Sequence, residues 1–401
     1  MANAFEQVDW IAAEALMHLE DALVIANLAS RDKTAEFNVR PNGYAVGDTI
    51  RIKTRPEYQT QTFSDITSTP TGSGTIVTQD IRESTRNMQI ERLFDISVNV
   101  TAKERALDMD SFSEQVIAPA AYTLAESVDT YVGTKILDGA GLYVPSTSST
   151  DVYSSASDMA LARKTATEQQ LSPTGRYSLV DLTLEARLLG ANFFSTWDQR
   201  GPDGQRVFTN GMMGNAMGMD FFASINFPQQ TRTNGAPAGT FETDNGTGGN
   251  TNNRIGNTTL TIANTATGSL VAGDRLLVAG VRRPLKVQTA IANLTSQTEV
   301  TLVDPITEVI PDDAAITVVG GNSTGFSIRG AIFDDQSLAM AMPMLDTPPD
   351  KPSFAASNNG VSIRVVQGYN MQTKVETLSM DLLVGAVAYD PRRITLLADN
   401  N

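Results

Sequence analysis

With 401 residues, 41% of them apolar and 19% charged, the chain is long enough for two or three packed units and too apolar to stay disordered. No apolar run approaches the length of a membrane helix. The start MANAFEQVDW sets no basic segment before an apolar one, so neither a span nor a leader is expected and the chain should be kept in cytosol. Zero cysteines exclude disulfides, thiolate metal sites and cysteine nucleophiles, while 45 acidic against 30 basic residues, a net charge of −15, disfavour tight nucleic-acid binding.

From Gln7 to Ala29, Val8, Ile11, Ala12, Ala15, Leu16, Leu19, Leu23 and Ala26 recur at helical spacing. They predict an amphipathic amino-terminal helix whose stripe lies across another part of an assembly. Its acidic residues Asp9, Glu14, Glu20 and Asp21 suit a basic partner. His18, the single histidine, falls beside Leu19 on this helix. A general base needs a positioned partner in a cleft, so a surface or groove-edge role is expected.

Glu36 to Asp80 reads as a two-stranded excursion, with segments at Phe37–Arg40, Asp48–Thr54 and Thr75–Asp80 and a polar tip TSTPTGSG too long for a tight hairpin. Arg51, Lys53 and Arg55 alternate and so share one strand face. That face is either a solvated edge guarded by cations or a surface that docks on an acidic neighbour. Ser111 with Glu114 is a capping-box pattern opening a helix to Asp138. Pro119 marks its true start or a bend, and Gly139 its end.

A helix at Asp158–Gln170, a strand at Arg176–Val180 and a helix at Thr183–Leu189 capped by Thr183 are expected next. Met212, Met213, Met217 and Met219 read as adaptable packing. From Asn226 to about Gly325, Thr, Asn, Gly and Val dominate, and strands are expected at Thr258–Ile262, Arg275–Val278, Leu285–Ile291, Glu299–Val303 and Ile316–Val319. Short strands so spaced suggest a small barrel or sandwich inserted in a larger α/β body. Beyond Pro343–Pro352, strands are expected at Val361–Val366, Val375–Met380 and Leu382–Ala388.

Catalytic motifs fail on inspection. GTGGN at Gly246 lacks the strand, lysine and helix of a phosphate loop. Asp108/Asp110, Asp312/Asp313 and Asp334/Asp335 lack calcium-loop spacing. The sequons at Asn99 and Asn257 need a secretory route, and Arg282/Arg283 and Arg392/Arg393 are too sparse for nucleic acid. No catalytic residue, metal or cofactor is assigned. An acid-catalysed hydrolase could dispense with histidine, but the carboxylates show no spacing that supports one.

Three stretches carry a resemblance: ERLFDISVNVTAKERALDMDSFSEQVIAPAAYTLAESVDTYV, GDRLLVAGV and GVSIRVVQGYNMQTKVETLSMDLLVGAVAYDPRR. In their order, the parts resemble the major capsid proteins of tailed bacteriophages, the Johnson fold, and in particular the coat-protein family of short-tailed Salmonella-type phages with an inserted β-barrel domain. The resemblance implies an α+β fold with an amino-terminal arm helix (1–35), an extended β loop (36–82), a spine helix with peripheral and axial α/β body (83–225), an inserted β domain (226–330) and a return to the body with carboxy-terminal strands (331–401). It implies a homo-oligomer of hexamers and pentamers closing an icosahedral shell around double-stranded DNA. A scaffolding protein would assist a procapsid, a portal protein would admit DNA as the shell expands, and no membrane would be involved. Assembly would take place in the bacterial host cytoplasm. On this reading Asp9, Glu14, Glu20 and Asp21 face the scaffold and Arg51, Lys53 and Arg55 touch a neighbouring subunit. The alternative is a tail or decoration protein, which copy number per particle would separate from a coat.

Overall fold

The computed structural model describes residues 3–32, 34, 49–53, 85–101, 113–145, 153, 156–168, 171–191, 213–228, 231–232, 241–244, 253–263, 268–281, 284–294, 299–303, 305–306, 308–318, 326–373, 375–390 and 393–398. Four α-helices are described: α1 (Asn3–Ala22), α2 (Ala118–Gly139), α3 (Ala156–Glu168) and α4 (Leu182–Gly190). The strands of the first half are β1 (Thr49–Lys53), β2 (Thr85–Gln89), β3 (Arg92–Thr101), β4 (Leu142–Pro145), β5 (Arg176–Val180), β6 (Asn215–Ala216), β7 (Met219–Ala223) and β8 (Thr231–Arg232). Those of the second half are β9 (Thr259–Thr261), β10 (Arg275–Val278), β11 (Leu285–Lys286), β12 (Glu299–Thr301), β13 (Ile316–Val318), β14 (Phe326–Asp334), β15 (Leu338–Ala341), β16 (Ser353–Asn358), β17 (Val361–Asn370), β18 (Val375–Ala388) and β19 (Thr395–Ala398).

The main core forms where α1 and α2 lie against the sheet β15-β18-β17-β16. β18 organises that sheet. Its first ten residues pair with β3, from Val375↔Thr101 to Val384↔Arg92, and its last four with β15. The two segments expected at Val375–Met380 and Leu382–Ala388 are therefore one strand. Asp381, which separates them in the sequence, is buried opposite its register partner Arg364, and the guanidinium takes both carboxylate oxygens in a fork. A charge inside a strand is tolerated when its cross-strand partner neutralises it.

The amino-terminal helix departs from expectation. It ends at Ala22, and a short 3₁₀ turn covers Ala26–Leu28. Its stripe is not held for another molecule: Val8, Ala12, Ala15, Leu16, Leu19 and Leu23 are buried in the main core of this same chain. Periodicity reveals that a helix has an apolar face but not what covers it. The cover here is α2 with β16 and β17.

One buried carboxylate fastens the turn that follows. Asp129 on α2 accepts the backbone N–H of Val24 and that of Ala26, both at 2.9 Å. Burial pushes its carboxyl above the ordinary value, opposed by hydrogen bonds from the amides of Val24, Ala26 and Ile25. A second fastening lies at the β16–β17 turn, where Asn359 and Gly360 both have positive φ and Arg31 donates to the Asn359 carbonyl at 3.0 Å.

Pro119 sits in the first turn of α2, the position where proline is tolerated, and a π-type turn, Ser113–Ile117, leads into it. Ser111, the expected cap, lies outside the described residues. Gly139 ends α2 for a reason other than a left-handed cap: a Cβ there would stand 2.0 Å from the Ala388 Cβ, so the helix end can meet β18 only without a side chain. α4 begins at Leu182, and its cap is Asp181 in place of the expected Thr183. The Asp181 carboxylate accepts the Leu184 N–H at 2.7 Å and pairs with Arg329 at 3.1 Å.

A second core lies around the sheet β4-β19-β14-β5-β7-β6 with α3 and α4. It takes in Met213 and Met219, with Met217 packed against it. Residues 241–318 have a third core of their own, around Leu260, Leu276, Val287, Val300 and Ile316. Their pairings run from β13 through β10 to β11 and cross at Val287↔Leu302 to β12 and β9. They then pass by Thr243↔Ile262 and Glu242↔Ala315 back to the start of β13. The circuit of pairings returns on itself.

Asp129→Ala should cost about 3 kcal/mol in chemical denaturation, because it leaves buried amides without an acceptor; a loss below about 0.5 kcal/mol, as for an ordinary surface change, would remove the fastening role. Gly139→Ala should cost about 2 kcal/mol by overpacking, and Ala388→Gly in the same chain should restore part of it. A Gly139→Ala chain as stable as its parent would show that the approach of α2 to β18 is looser than described.

Candidate functional site

The only histidine sits at the edge of the α1–α2 groove. The His18 ring centroid lies 6.1 Å from that of Tyr122, and Nε2 is 3.9 Å from Glu14 Oε1. Among the described residues, no group of three His, Asp or Glu side chains is placed to hold a metal ion, and no helix is long and apolar enough to cross a membrane.

The four acidic residues of α1 expected to face a basic partner do not act as one set. Asp9 and Asp21 are exposed, whereas Glu14 is partly buried toward His18 and Glu20 accepts from Asn358 Nδ2 at 3.0 Å. The side of α1 opposite the buried stripe carries Trp10 and Met17, seven residues apart and respectively 58% and 54% exposed. Tyr122 on neighbouring α2 is also exposed. The sequence held the signal, since Trp10 and Met17 fall out of phase with the stripe, but the periodicity count passed over them. Exposed tryptophan and methionine of this kind are enriched at protein interfaces.

The base of the excursion forms an antiparallel pair, Thr49↔Gln89 to Lys53↔Thr85. Ile50, Ile52 and Met88, with Ile90 just beyond β2, pack on Ala339, Ala341 and Leu383 of the same chain. Arg51 and Lys53 point the other way with Asn87 and Gln89, so the expected alternation holds for these two cations. Arg55, the tip TSTPTGSG and the return segment Thr75–Asp80 lie outside the described residues.

A third place escaped the sequence reading altogether. At the carboxyl end of α2, Arg275 donates Nη2 to the Leu137 carbonyl at 2.6 Å, and Lys286 donates Nζ to the Asp138 carbonyl at 2.5 Å and to Asp138 Oδ1 at 3.1 Å. Arg275 is only 5% exposed. Burial pushes its guanidinium down to about 10, against the pull of Asp138 and Asp274. Beside this contact runs a cleft of about 450 Å³ between the β2 strand, the end of α2, β18 and the 241–318 unit; Lys135 and Glu91 pair across it at 3.1 Å.

No family model matches the chain, and no curated protein matches it in sequence. A solved structure from Mycobacterium phage Che8 is similar with a TM-score of 0.53 at 12% identity, covering 93% of this chain and 90% of that one. Two weaker likenesses are a structure described as the capsid structure of the Cyanophage P-SCSP1u (TM-score 0.45, 12% identity, 88% of this chain and 84% of that one) and one described as the asymmetric unit of the bacteriophage PhiM1 mature capsid (0.43, 11%, 87% and 81%). The chain therefore shares the fold of the Che8 phage chain across nearly the whole length of both.

Proposed function

We propose that this chain is the structural subunit of a tailed-phage shell, the major capsid protein. The observation that carries the proposal is the end-to-end likeness to the Che8 chain, 93% of one and 90% of the other. In this reading α2 is the spine helix, residues 226–330 are the inserted β domain for which the closed circuit of pairings speaks, and the segment 36–82 is the extended loop. Many copies would close around double-stranded DNA with help from a scaffold, and the shell would expand on filling.

The structure alters which surfaces such a subunit would use. The stripe of α1 and the inner face of the β1–β2 pair are covered within the chain, so sister copies would meet their outer faces. These are the Arg51 and Lys53 face on one side and Trp10 and Met17 on the other, with Asp9 and Asp21 left open for a basic scaffold segment. Small contacts of this sort, repeated over many copies, suit closed assembly better than one strong interface, because weak contacts allow misplaced subunits to leave.

Electron microscopy of the chain expressed with its scaffold should show closed shells; monomers alone at high concentration would overturn the proposal. In the same system, Arg51→Glu with Lys53→Glu should lower particle yield at least tenfold while shifting monomer stability by less than about 0.5 kcal/mol, since exposed charges contribute little to folding but steer association. An unchanged yield would remove this face from the interface.

A further inference from the structure

Arg275 and Lys286 are directly opposed on the β10–β11 ladder. Like charges facing each other across two strands repel, so this pairing is unfavourable unless something negative lies between them. What lies there is the end of α2. A helix leaves its last carbonyls unpaired and gathers partial negative charge at its carboxyl terminus, and α2 has no basic residue of its own in its last turn. The two cations supply what that terminus lacks, one on the Leu137 carbonyl and one on that of Asp138.

β10 alternates accordingly. Leu276 and Val278 face the core of the 241–318 unit, while Leu277 packs against the main core. Among the described residues, β9 to β13 form ladders only with each other. Among these residues the unit adds no strand to the sheets of the body; it joins them through β8 and β14, which pair with each other at Phe326↔Arg232 and Ser327↔Thr231, and side-chain contacts bear on its angle.

We infer that Arg275 and Lys286 form a two-pronged cationic latch on the end of α2, and that this latch sets the angle at which the 241–318 unit stands on the body. Leu277 apart, the unit and the body are held by separate cores, so releasing the latch frees the angle without unfolding either. The neighbouring cleft of about 450 Å³ is the space into which the unit can tilt. The latch belongs to the single chain and holds whether or not the chain builds a shell.

The absence of cysteine permits a clean test. Spin labels placed by Glu126→Cys on exposed α2 and Thr317→Cys on exposed β13 report the distance between the two parts by pulsed electron paramagnetic resonance. The otherwise unaltered chain should give one narrow distribution, and Arg275→Met with Lys286→Met should broaden it at least twofold. Hydrogen exchange at Leu276, Val300 and Ile316 should stay as slow as before. Arg275→Lys with Lys286→Arg, which keeps both charges, should restore most of the narrow distribution. An unchanged width in the methionine variant would overturn the latch. So would lost protection of the 241–318 core, because the two cations would then serve that unit's own folding, and so would equal broadening in the charge-keeping variant.

Discussion

Much of this molecule turns on a carboxylate where none would be expected. Asp129 lies in the middle of the longest described helix, fully buried, and it spends its oxygens on the backbone of a distant turn. Desolvating a carboxylate is costly, so the position is tenable only because peptide N–H groups with no other partner are delivered to it. The exchange is mutual. A turn leaving a helix has amides that need acceptors, and α2 offers one at the spot where α1 must cross. Once that crossing is set, the α1 stripe falls onto α2 and the β16–β17 hairpin, and the main core closes.

That closure determines what the chain can offer to other molecules. A helix with one apolar stripe has nothing left once the stripe is covered, but α1 keeps Trp10 and Met17 on its outer side. The hairpin base behaves alike: isoleucines inward, cations outward. Both elements thus give one face to the fold and leave the other exposed.

The periodic elements were legible in the sequence. The strands at Arg176–Val180 and Arg275–Val278 fall where alternation places them, and Pro119 marks the start of α2 for the reason proline is favoured in a first turn. What escaped were the relations between elements. Asp129 reads as one more polar residue on a helix, and only the arrival of residues 24–26 gives it a purpose. Asp381 reads as a break until Arg364 is seen across from it. Arg275 and Lys286 lie far along the chain from Leu137 and Asp138, and no periodicity links them. Gly139 was legible as a stop but not as a point of close approach, because the need arises from Ala388. Position along a chain reports the local shape; the partner that makes a buried charge or a missing side chain sensible is supplied by tertiary structure.

The circuit of pairings in residues 241–318 bears on solubility. Strands at the rim of an open sheet carry unpaired amides and carbonyls that can recruit a strand from any neighbour, and the hazard grows with crowding. Here the ladder that starts at β13 comes back to β13, so each described strand has a neighbour on both sides. A unit rich in threonine and valine, residues that favour fibrils when their edges lie open, is thereby made safe to hold at very high local density.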